Sequence, residues 1–258
     1  MSLYQHFRRE EHAFVDQVLD WIETVRTEYR PKRTDFLDPR QQKIVRTILG
    51  TGDVLASFSG GAPDAERRRC LLYPDYFLPE VEDFDLAAFH VDYPLKFETV
   101  THSQLLGSMM GIGLVREKFG DILISEEQVI QLLTCGDTAD YVQQQLVQAG
   151  KVPLSLKRIP LDELLHKQEP ETERTVTVSS LRLDVVLSEA FHLSRSKVKP
   201  LVQNEKAKVN WRPVTDPSMQ LEEGDMLSLR GSGRVRLDRI EGETKRGKIR
   251  INIALIGG

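Results

Sequence analysis

Apolar residues in the first 80 positions follow first a helical spacing and then a strand-like one. Seven of them recur at helical intervals within residues 5–29 and predict an amphipathic helix: Phe7, Phe14, Val15, Val18, Leu19, Ile22 and Val25. A second helix is predicted from its N-cap Asp38 to Gly50, which can end it. Short apolar runs at 54–58 and 69–73 predict two strands. Residues 1–80 should therefore form a small, helix-rich α/β domain.

Between residues 84 and 165 the pattern changes to four strand-like runs and two helical ones. The predicted strands are 86–93, 121–125, 128–133 and 152–159, and the predicted helices are 102–114 and 137–148. The order β-α-β-β-α-β is that of ferredoxin-like proteins and RNA-recognition motifs (RRMs). An RRM stacks bases on aromatic residues of its central strands, and the third predicted strand has none. We therefore expect an RRM-like fold that serves for packing or protein contact.

The last part of the chain predicts a linker followed by a third domain. Residues 166–175 are charged, contain a proline and lack apolar periodicity, which is typical of a linker. Residues 176–258 begin with two short helices and continue with strand-like runs. The apolar stripes of these helices are Leu183, Val186, Leu187, Ala190 and Phe191 in the first, and Val198, Leu201 and Val202 in the second. The whole chain is predicted to be α+β.

Charge is divided unevenly along this order. Residues 1–175 contain 20 Lys and Arg against 29 Asp and Glu, whereas residues 176–258 contain 15 against 10. A basic module attached to an acidic body indicates that a polyanion such as structured RNA binds to the third domain. Basic residues also occur in the triplets 67–69 and 116–118, which we expect to be solvent-exposed.

Most of the candidate RNA-binding residues lie on or beside the second helix of the third domain. Arginine offers a planar fork of donors to a phosphate, lysine offers a point charge, and the free amides of a helix start add positive potential. Ser194 is predicted to cap this helix through its side chain. The predicted binding set is Arg182, Ser194, Arg195, Ser196, Lys197, Lys199, Gln203, Lys206 and Lys208.

The sequence offers no recognisable catalytic, metal-binding or cofactor-binding pattern. Its six histidines form no ligand spacing, and the glycines of GSMMGIG at 107–113 fall in a predicted helix, not after a strand. Asp184 is expected to be structural. The two cysteines form no CxxC pair, and no apolar run has the length of a signal peptide or a membrane span. We expect a cytoplasmic, non-enzymatic protein with no cofactor and no membrane partner. A methyltransferase-like RNA-modifying enzyme and a protein-binding scaffold remain the alternatives.

Residues 182–225 resemble the RNA-binding domain first defined in ribosomal protein S4. The matching positions are Arg182-Leu183-Asp184, Leu187, Ser194-Arg195-Ser196, Leu201-Val202, Val209-Asn210, Pro217 and Glu223-Gly224-Asp225. The chain has Glu205 and Trp211 where that pattern has glycines, and Pro200 falls inside the second helix, where it removes a hydrogen bond. The resemblance implies an αα-β fold that binds structured RNA.

Three further segments make nearly the whole chain similar to the YlmH family of bacterial RNA-binding proteins. They are FLDPRQ at 36–41, SGGAPDAERRR at 59–69 and THSQLLGSMMGIGLVREKFGDILISE at 101–126. This resemblance implies a small amino-terminal domain, an RRM-like middle domain and a carboxyl-terminal RNA binder. It also implies binding to ribosomal RNA of the large subunit carrying peptidyl-tRNA, in translation or in quality control of stalled ribosomes.

Overall fold

The structure, a computed structural model, describes residues 3–50, 52–165, 171–244 and 247–256. It divides into two compact units, Met1–Lys167 and Gln168–Gly258. Both units contain helices and antiparallel sheets, in agreement with the predicted α+β class. None of the helices in the described part of the chain has the length and apolar character that a membrane span needs.

The amino-terminal part of the first unit is a three-stranded antiparallel sheet packed against two helices. Its elements are α1 (His12–Glu28), β1 (Lys32–Leu37), α2 (Pro39–Leu49), β2 (Val54–Ser59) and β3 (Arg68–Pro74), with sheet order β1-β3-β2. The side chain of Asp38 accepts a hydrogen bond from the Gln41 amide at 2.8 Å and caps α2, as predicted. Strand β1 was not predicted, because its residues KRTDFL begin with four polar positions that hide the strand pattern.

The middle part of the first unit has the predicted β-α-β-β-α-β order with one added ribbon. Its elements are β4 (Leu86–Asp92), α3 (His102–Gly111), β5 (Phe119–Ile124), β6 (Ile130–Cys135), α4 (Ala139–Gln145), β7 (Gln148–Ala149), β8 (Val152–Pro153) and β9 (Ser155–Ile159). The main sheet is antiparallel, in the order β5-β6-β4-β9, and β7 and β8 form the ribbon. Apolar residues of α3 and α4 pack on one face of this sheet.

The opposite face of the same sheet is also covered. Phe36 of β1 is completely buried in a cluster with Leu133 of β6 and Leu164, which follows β9. The packing is so close that a Cβ atom on Gly120 would lie 2.7 Å from the Phe36 ring. The amino-terminal part therefore packs directly on the middle sheet, and glycine at position 120 makes that approach possible.

Hydrogen bonds fix the segment that covers this face. The side-chain amide of Gln131 donates to the carbonyl of Glu163 at 3.0 Å and accepts from the amide of Leu165 at 2.7 Å. All six residues of β6 are buried. Strand β6 therefore presents no exposed side chain on which a base could stack, and an RNA-recognition motif uses its central strands for that purpose.

The basic triplets of the first unit were expected to be exposed, and this prediction was wrong for Arg67 and Arg69. Arg67 and Arg69 are only 7% and 3% exposed. Arg67 donates to the carbonyls of Phe36 at 3.0 Å and Phe119 at 3.2 Å, and Arg116 donates to the same Phe119 carbonyl at 2.7 Å. Hydrogen bonds to main-chain carbonyls compensate for the loss of hydration of these guanidinium groups.

The second unit is a six-stranded antiparallel sheet with two helices packed on one face. Its elements are β10 (Glu171–Val178), α5 (Leu183–Ala190), α6 (Arg195–Gln203), β11 (Ala207–Val209), β12 (Arg212–Val214), β13 (Met226–Leu229), β14 (Gly233–Glu243) and β15 (Ile249–Ile256). The sheet order is β10-β15-β14-β13-β11-β12. Apolar residues of both helices share one core with the sheet.

The predicted linker 166–175 overlaps with this sheet. Residues 166–170 lie outside the described part, but Glu171–Thr175 belong to β10 and pair with β15. The linker prediction was therefore wrong for these five residues. Strand β10 is at the sheet edge and its first five residues are exposed, so it lacks the apolar alternation by which a sequence reveals a strand.

The positions where glycines were expected keep a left-handed backbone without glycine. Glu205 has φ 56° and Trp211 has φ 66°, a region that costs an L-residue about 1–2 kcal/mol. Beside Trp211, the buried Asn210 side chain donates to Asp225 at 2.8 Å and accepts from the amide of Met226 at 3.0 Å. These buried hydrogen bonds hold the turn in place, so the departures from the glycine pattern do not change the fold.

Candidate nucleic-acid interface

Helix α6 is fixed in orientation by its apolar side. Val198 and Val202 are completely buried, and Leu201 packs against the same core, as the helical wheel predicts. Pro200 lies inside the helix without ending it. The predicted binding residues of this helix are all exposed: Arg195, Ser196, Lys197, Lys199 and Gln203. Burial of the two valines therefore determines the direction in which the cations of α6 point.

The two lysines of α6 are free to bind a ligand. In the part of the chain that the structure describes, the side chains of Lys197 and Lys199 have no ion pair or hydrogen bond. Lys199 shares one side of the helix with Arg195 and Gln203, whereas Lys197 is about 160° away from Lys199 around the axis. A hydrated ammonium group without an internal partner can exchange water for phosphate oxygens.

Two predicted arginines converge on a single carboxylate. Arg195 Nη2 donates to Asp184 Oδ2 at 2.8 Å. Arg182 Nε donates to Asp184 Oδ1 at 3.1 Å, and its Nη2 lies 3.4 Å from Oδ2. Asp184 is in the first turn of α5 and has no exposed surface, while both arginine side chains remain partly exposed. The structure thus brings Arg182 and Arg195 together although the chain separates them by a whole helix.

The electrostatic balance of this cluster favours an ionised Asp184. Burial alone would raise the pKa of Asp184, but the hydrogen bonds and positive charges of Arg182 and Arg195 outweigh it and lower the pKa below its ordinary value. At neutral pH the carboxylate therefore carries its charge and neutralises part of the charge on the two arginines. A carboxylate enclosed in this way is suited to holding side chains in place.

The amino end of α6 differs from the prediction in one respect. Ser194 occupies the N-cap position, but its side chain makes no hydrogen bond to a helix amide. Its hydroxyl lies 2.9 Å from the hydroxyl of Ser196 instead. The prediction of a side-chain cap was therefore wrong, because the neighbouring serine competes for the same hydroxyl. Both serines are exposed at the positive end of the helix.

The structure separates the two lysines that were expected to extend the site. Lys206 lies in the short connection between α6 and β11, but Lys208 lies in β11 between the buried Ala207 and Val209. Because side chains alternate along a strand, Lys208 points away from the helices. Sequence patterns did not reveal Arg230, whose amide donates to the Lys206 carbonyl at 2.9 Å. Strand pairing alone places this exposed arginine beside Lys206.

The other candidate sites do not form a constellation. The described residues contain no group of three or more His, Cys, Asp and Glu that could hold a metal ion. Gly107 and Gly111 lie inside α3 and at its end. A nucleotide or methyl-donor loop would instead join a strand to the start of a helix. The basic surface of the second unit is therefore the candidate site that the geometry favours.

Three family models match consecutive parts of the chain. The model "YlmH, N-terminal" matches residues 10–77, and the model "Putative RNA-binding domain in YlmH" matches residues 79–163. The model "S4 domain" matches residues 181–227, which include α5, α6 and the candidate interface. The first two matches correspond to the amino-terminal and middle parts of the first unit.

Two individual proteins show similarity over long stretches. The chain is 52% identical over 250 residues to the "Ribosome-associated protein quality control protein P2" of Bacillus subtilis (strain 168), which covers 97% of both chains. A solved structure described as "Cell division protein ylmH from Streptococcus pneumoniae" is 36% identical, with a TM-score of 0.55. That match covers 64% of this chain and 100% of the other.

Proposed function

The chain belongs to the YlmH family, and from this premise we propose that it is a non-enzymatic, ribosome-associated RNA-binding factor. It docks on ribosomal RNA of the large subunit, with peptidyl-tRNA nearby. It acts in the cytoplasm, in translation or in the quality control of stalled ribosomes. No cofactor and no membrane take part in this role.

The observation that carries the proposal is the exposed basic side of α6 within the S4-domain match. Lys199 and Arg195 share that side, and Lys206 and Arg230 lie beyond its carboxyl end. Cations that neutralise phosphates release counterions from RNA, and this release contributes much of the binding free energy. The second unit therefore supplies the RNA contact, and its buried valines keep the contact surface in one orientation.

The ribosome as the binding partner is supported by the Bacillus subtilis relative. Its name describes a ribosome-associated protein of quality control, and 52% identity over 97% of both chains makes a shared role the simplest expectation. In the first unit, residues 79–163 match the model described as "Putative RNA-binding domain in YlmH", but strand β6 has no exposed residue. This strand therefore serves for packing or protein contact and not for base stacking.

The non-enzymatic character is supported by the surroundings of the candidate groups. Asp184 has no exposed surface with which to reach a substrate, and two arginines occupy its oxygens. The alternative of an RNA-modifying methyltransferase has no support from the glycine-rich segment, because its residues 107–111 lie in α3. Calorimetry with a methyl donor tests this alternative directly, since tight binding would favour the enzyme.

The experiment that tests the proposal measures binding of the full chain to purified large ribosomal subunits over a series of KCl concentrations. Arg195→Ala with Lys199→Ala should weaken binding about tenfold or more, because it removes charge-assisted hydrogen bonds to phosphates. The slope of log K against log salt should become less steep by about 1 for each lost phosphate contact.

A matched control removes the same charges elsewhere in the second unit. Arg239→Ala with Lys248→Ala takes one arginine and one lysine from exposed positions in β14 and just before β15. This control should bind almost as the unchanged chain does. If the Arg195 and Lys199 variant binds as tightly as the unchanged chain at every salt concentration, α6 is not the RNA contact.

A further inference from the structure

A buried carboxylate lies behind the two arginines of the proposed interface. Asp184 has no exposed surface, whereas the side chains of Arg182 and Arg195 are 34% and 48% exposed. Burying a carboxylate is unfavourable unless it is paired and hydrogen-bonded, and here both partners are at the surface. The N–H donors of the two arginines thus lie at the surface, directly above the enclosed carboxylate that binds them.

The main chain around Asp184 is held on both sides. Its amide donates to the carbonyl of Pro217 at 3.0 Å, and its carbonyl accepts from the hydroxyl of Ser188 at 2.6 Å. Arg182 also pairs with Gln220 in an isolated β-bridge. Because the main chain of Asp184 is fixed, its carboxylate orients the long arginine side chains.

We propose that Asp184 is a positioning residue for RNA binding, which holds Arg182 and Arg195 together so that their outward N–H groups bind backbone phosphate. The inference rests on the proposed RNA-binding function. A guanidinium has five N–H donors. Asp184 engages two of those on Arg182 and one on Arg195, which leaves the rest of each fork for a ligand. Donors that are already ordered lose less conformational freedom on binding.

An argument from net charge alone makes the opposite prediction. Whether Asp184→Asn binds RNA more weakly or more tightly therefore decides between positioning and net charge. Asp184 is an anion close to the bound phosphate, and its removal raises the net charge of the interface by one. Electrostatics alone would therefore make Asp184→Asn bind RNA more tightly. Positioning makes the same variant bind more weakly, because both arginines lose their anchor.

The test is a double-mutant cycle in the full chain, with purified large ribosomal subunits as the probe. The variants are Asp184→Asn, Arg195→Ala and the combination. We expect each single change to weaken binding about tenfold. The combination should bind about as the weaker single variant does, because Arg195 contributes little once its anchor is gone. Binding by Asp184→Asn as tight as that of the unchanged chain, or tighter, overturns the proposal. Losses that multiply in the combination also overturn it.

A matched control separates positioning from general loss of stability. Asp225 is another fully buried carboxylate of the second unit, and it accepts hydrogen bonds from the Asn210 side chain and the Glu222 amide at 2.8 Å each. Asp225→Asn should lower the melting temperature without weakening binding at temperatures where the chain is folded. A tenfold loss of binding in this control would show that destabilisation alone explains the Asp184 effect, and would overturn the proposal.

A second variant keeps the proposal testable if Asp184→Asn does not fold. Asp184→Glu retains the charge but moves the carboxylate outward by one methylene group, so the arginines are displaced. It should lose about fivefold or more in affinity, and binding equal to that of the unchanged chain contradicts the positioning role. If the unchanged chain itself does not bind the subunits, the proposed function fails, and this outcome is distinct from a failure of positioning alone.

Discussion

Cations of the two units have the same charge and opposite surroundings. Arg67 and Arg69 of the first unit are almost completely buried and donate to main-chain carbonyls. Lys197 and Lys199 of the second unit are exposed and have no side-chain partner among the described residues. Arg195 is intermediate, because one buried carboxylate holds it while half of its side chain is exposed. The hydrogen-bond partners of a cation, more than its place in a basic run, therefore separate the fold-stabilising cations from the candidate ligand-binding ones.

Carboxylates in the two units show the same contrast. Burial raises the pKa of Asp121 in the first unit, although the amides of Glu66 and Arg67 donate to it at 2.7 and 3.1 Å. Asp184 in the second unit has a lowered pKa, because two guanidinium groups bond to it directly. At Asp121 two amide donors and the nearby charge of Arg67 do not offset burial and the charge of Glu66, whereas at Asp184 two directly bonded guanidinium groups do offset burial.

The largest expected effect is on the stability of the first unit. Arg67→Ala removes hydrogen bonds to the Phe36 and Phe119 carbonyls and should lower the free energy of unfolding by about 2–4 kcal/mol. Trp21 lies in the first unit and Trp211 in the second, so urea titrations of single-tryptophan variants report each unit separately. A change below 0.5 kcal/mol, the usual size for a surface residue, would show that Arg67 is not needed for the fold.

In the second unit we predict a loss of binding without a loss of stability. Lys197→Ala with Lys199→Ala should weaken binding to large ribosomal subunits about threefold to tenfold, with most of the loss from Lys199, which shares the basic side of α6 with Arg195. It should change the free energy of unfolding by less than about 0.5 kcal/mol, since both side chains are exposed. Arg67→Ala provides the comparison, because it should destabilise its unit and leave the binding of the folded chain unchanged. Equal effects of both variants on binding would remove the distinction between the two kinds of cation.

The smallest expected effect is on the pH dependence of stability, which two substitutions should change in opposite directions. The pKa of Asp184 is lowered in the folded chain. The stability that this carboxylate contributes is therefore present at pH values above the ordinary aspartate pKa, and it is lost as pH falls through the folded-state pKa. The raised pKa of Asp121 gives a contribution that is present at low pH and is lost as pH rises through the folded-state pKa. Urea titrations of Asp184→Asn and Asp121→Asn from about pH 3 to pH 7 should therefore differ from the unchanged chain with opposite slopes. Slopes of the same sign would contradict this contrast.

Several elements could be predicted from local signals alone. Asp38 and Pro39 begin α2 where the capping pattern places them, and Val198, Leu201 and Val202 face the core as the helical wheel requires. These predictions succeed because capping and periodicity depend on neighbours within one or two turns. The candidate binding residues of α6 were identified for the same reason, since burial of one stripe exposes the other.

Other features depend on residues that are distant in the chain. Arg67 is buried, contrary to the prediction from its basic run, because the carbonyls of Phe36 and Phe119 accept its hydrogen bonds. Arg230 reaches the neighbourhood of Lys206 through strand pairing, while Lys208 turns away because its two neighbours are buried. Alternation along a strand predicts which side chains are exposed only when the buried face of the sheet is known.

The sequence by itself determined most of the helices and strands, the exposed cations of α6 and the family resemblance, because these depend on local periodicity and on residue identity. It did not determine β1 or the first residues of β10, whose polar residues show no such periodicity. Tertiary structure alone decided which cations are buried, that both faces of the middle sheet are covered, and that Arg182 and Arg195 meet on Asp184. The physical reason is that hydrogen bonding and burial act over short distances in space, and chain folding brings together groups whose separation along the sequence carries no information about that contact.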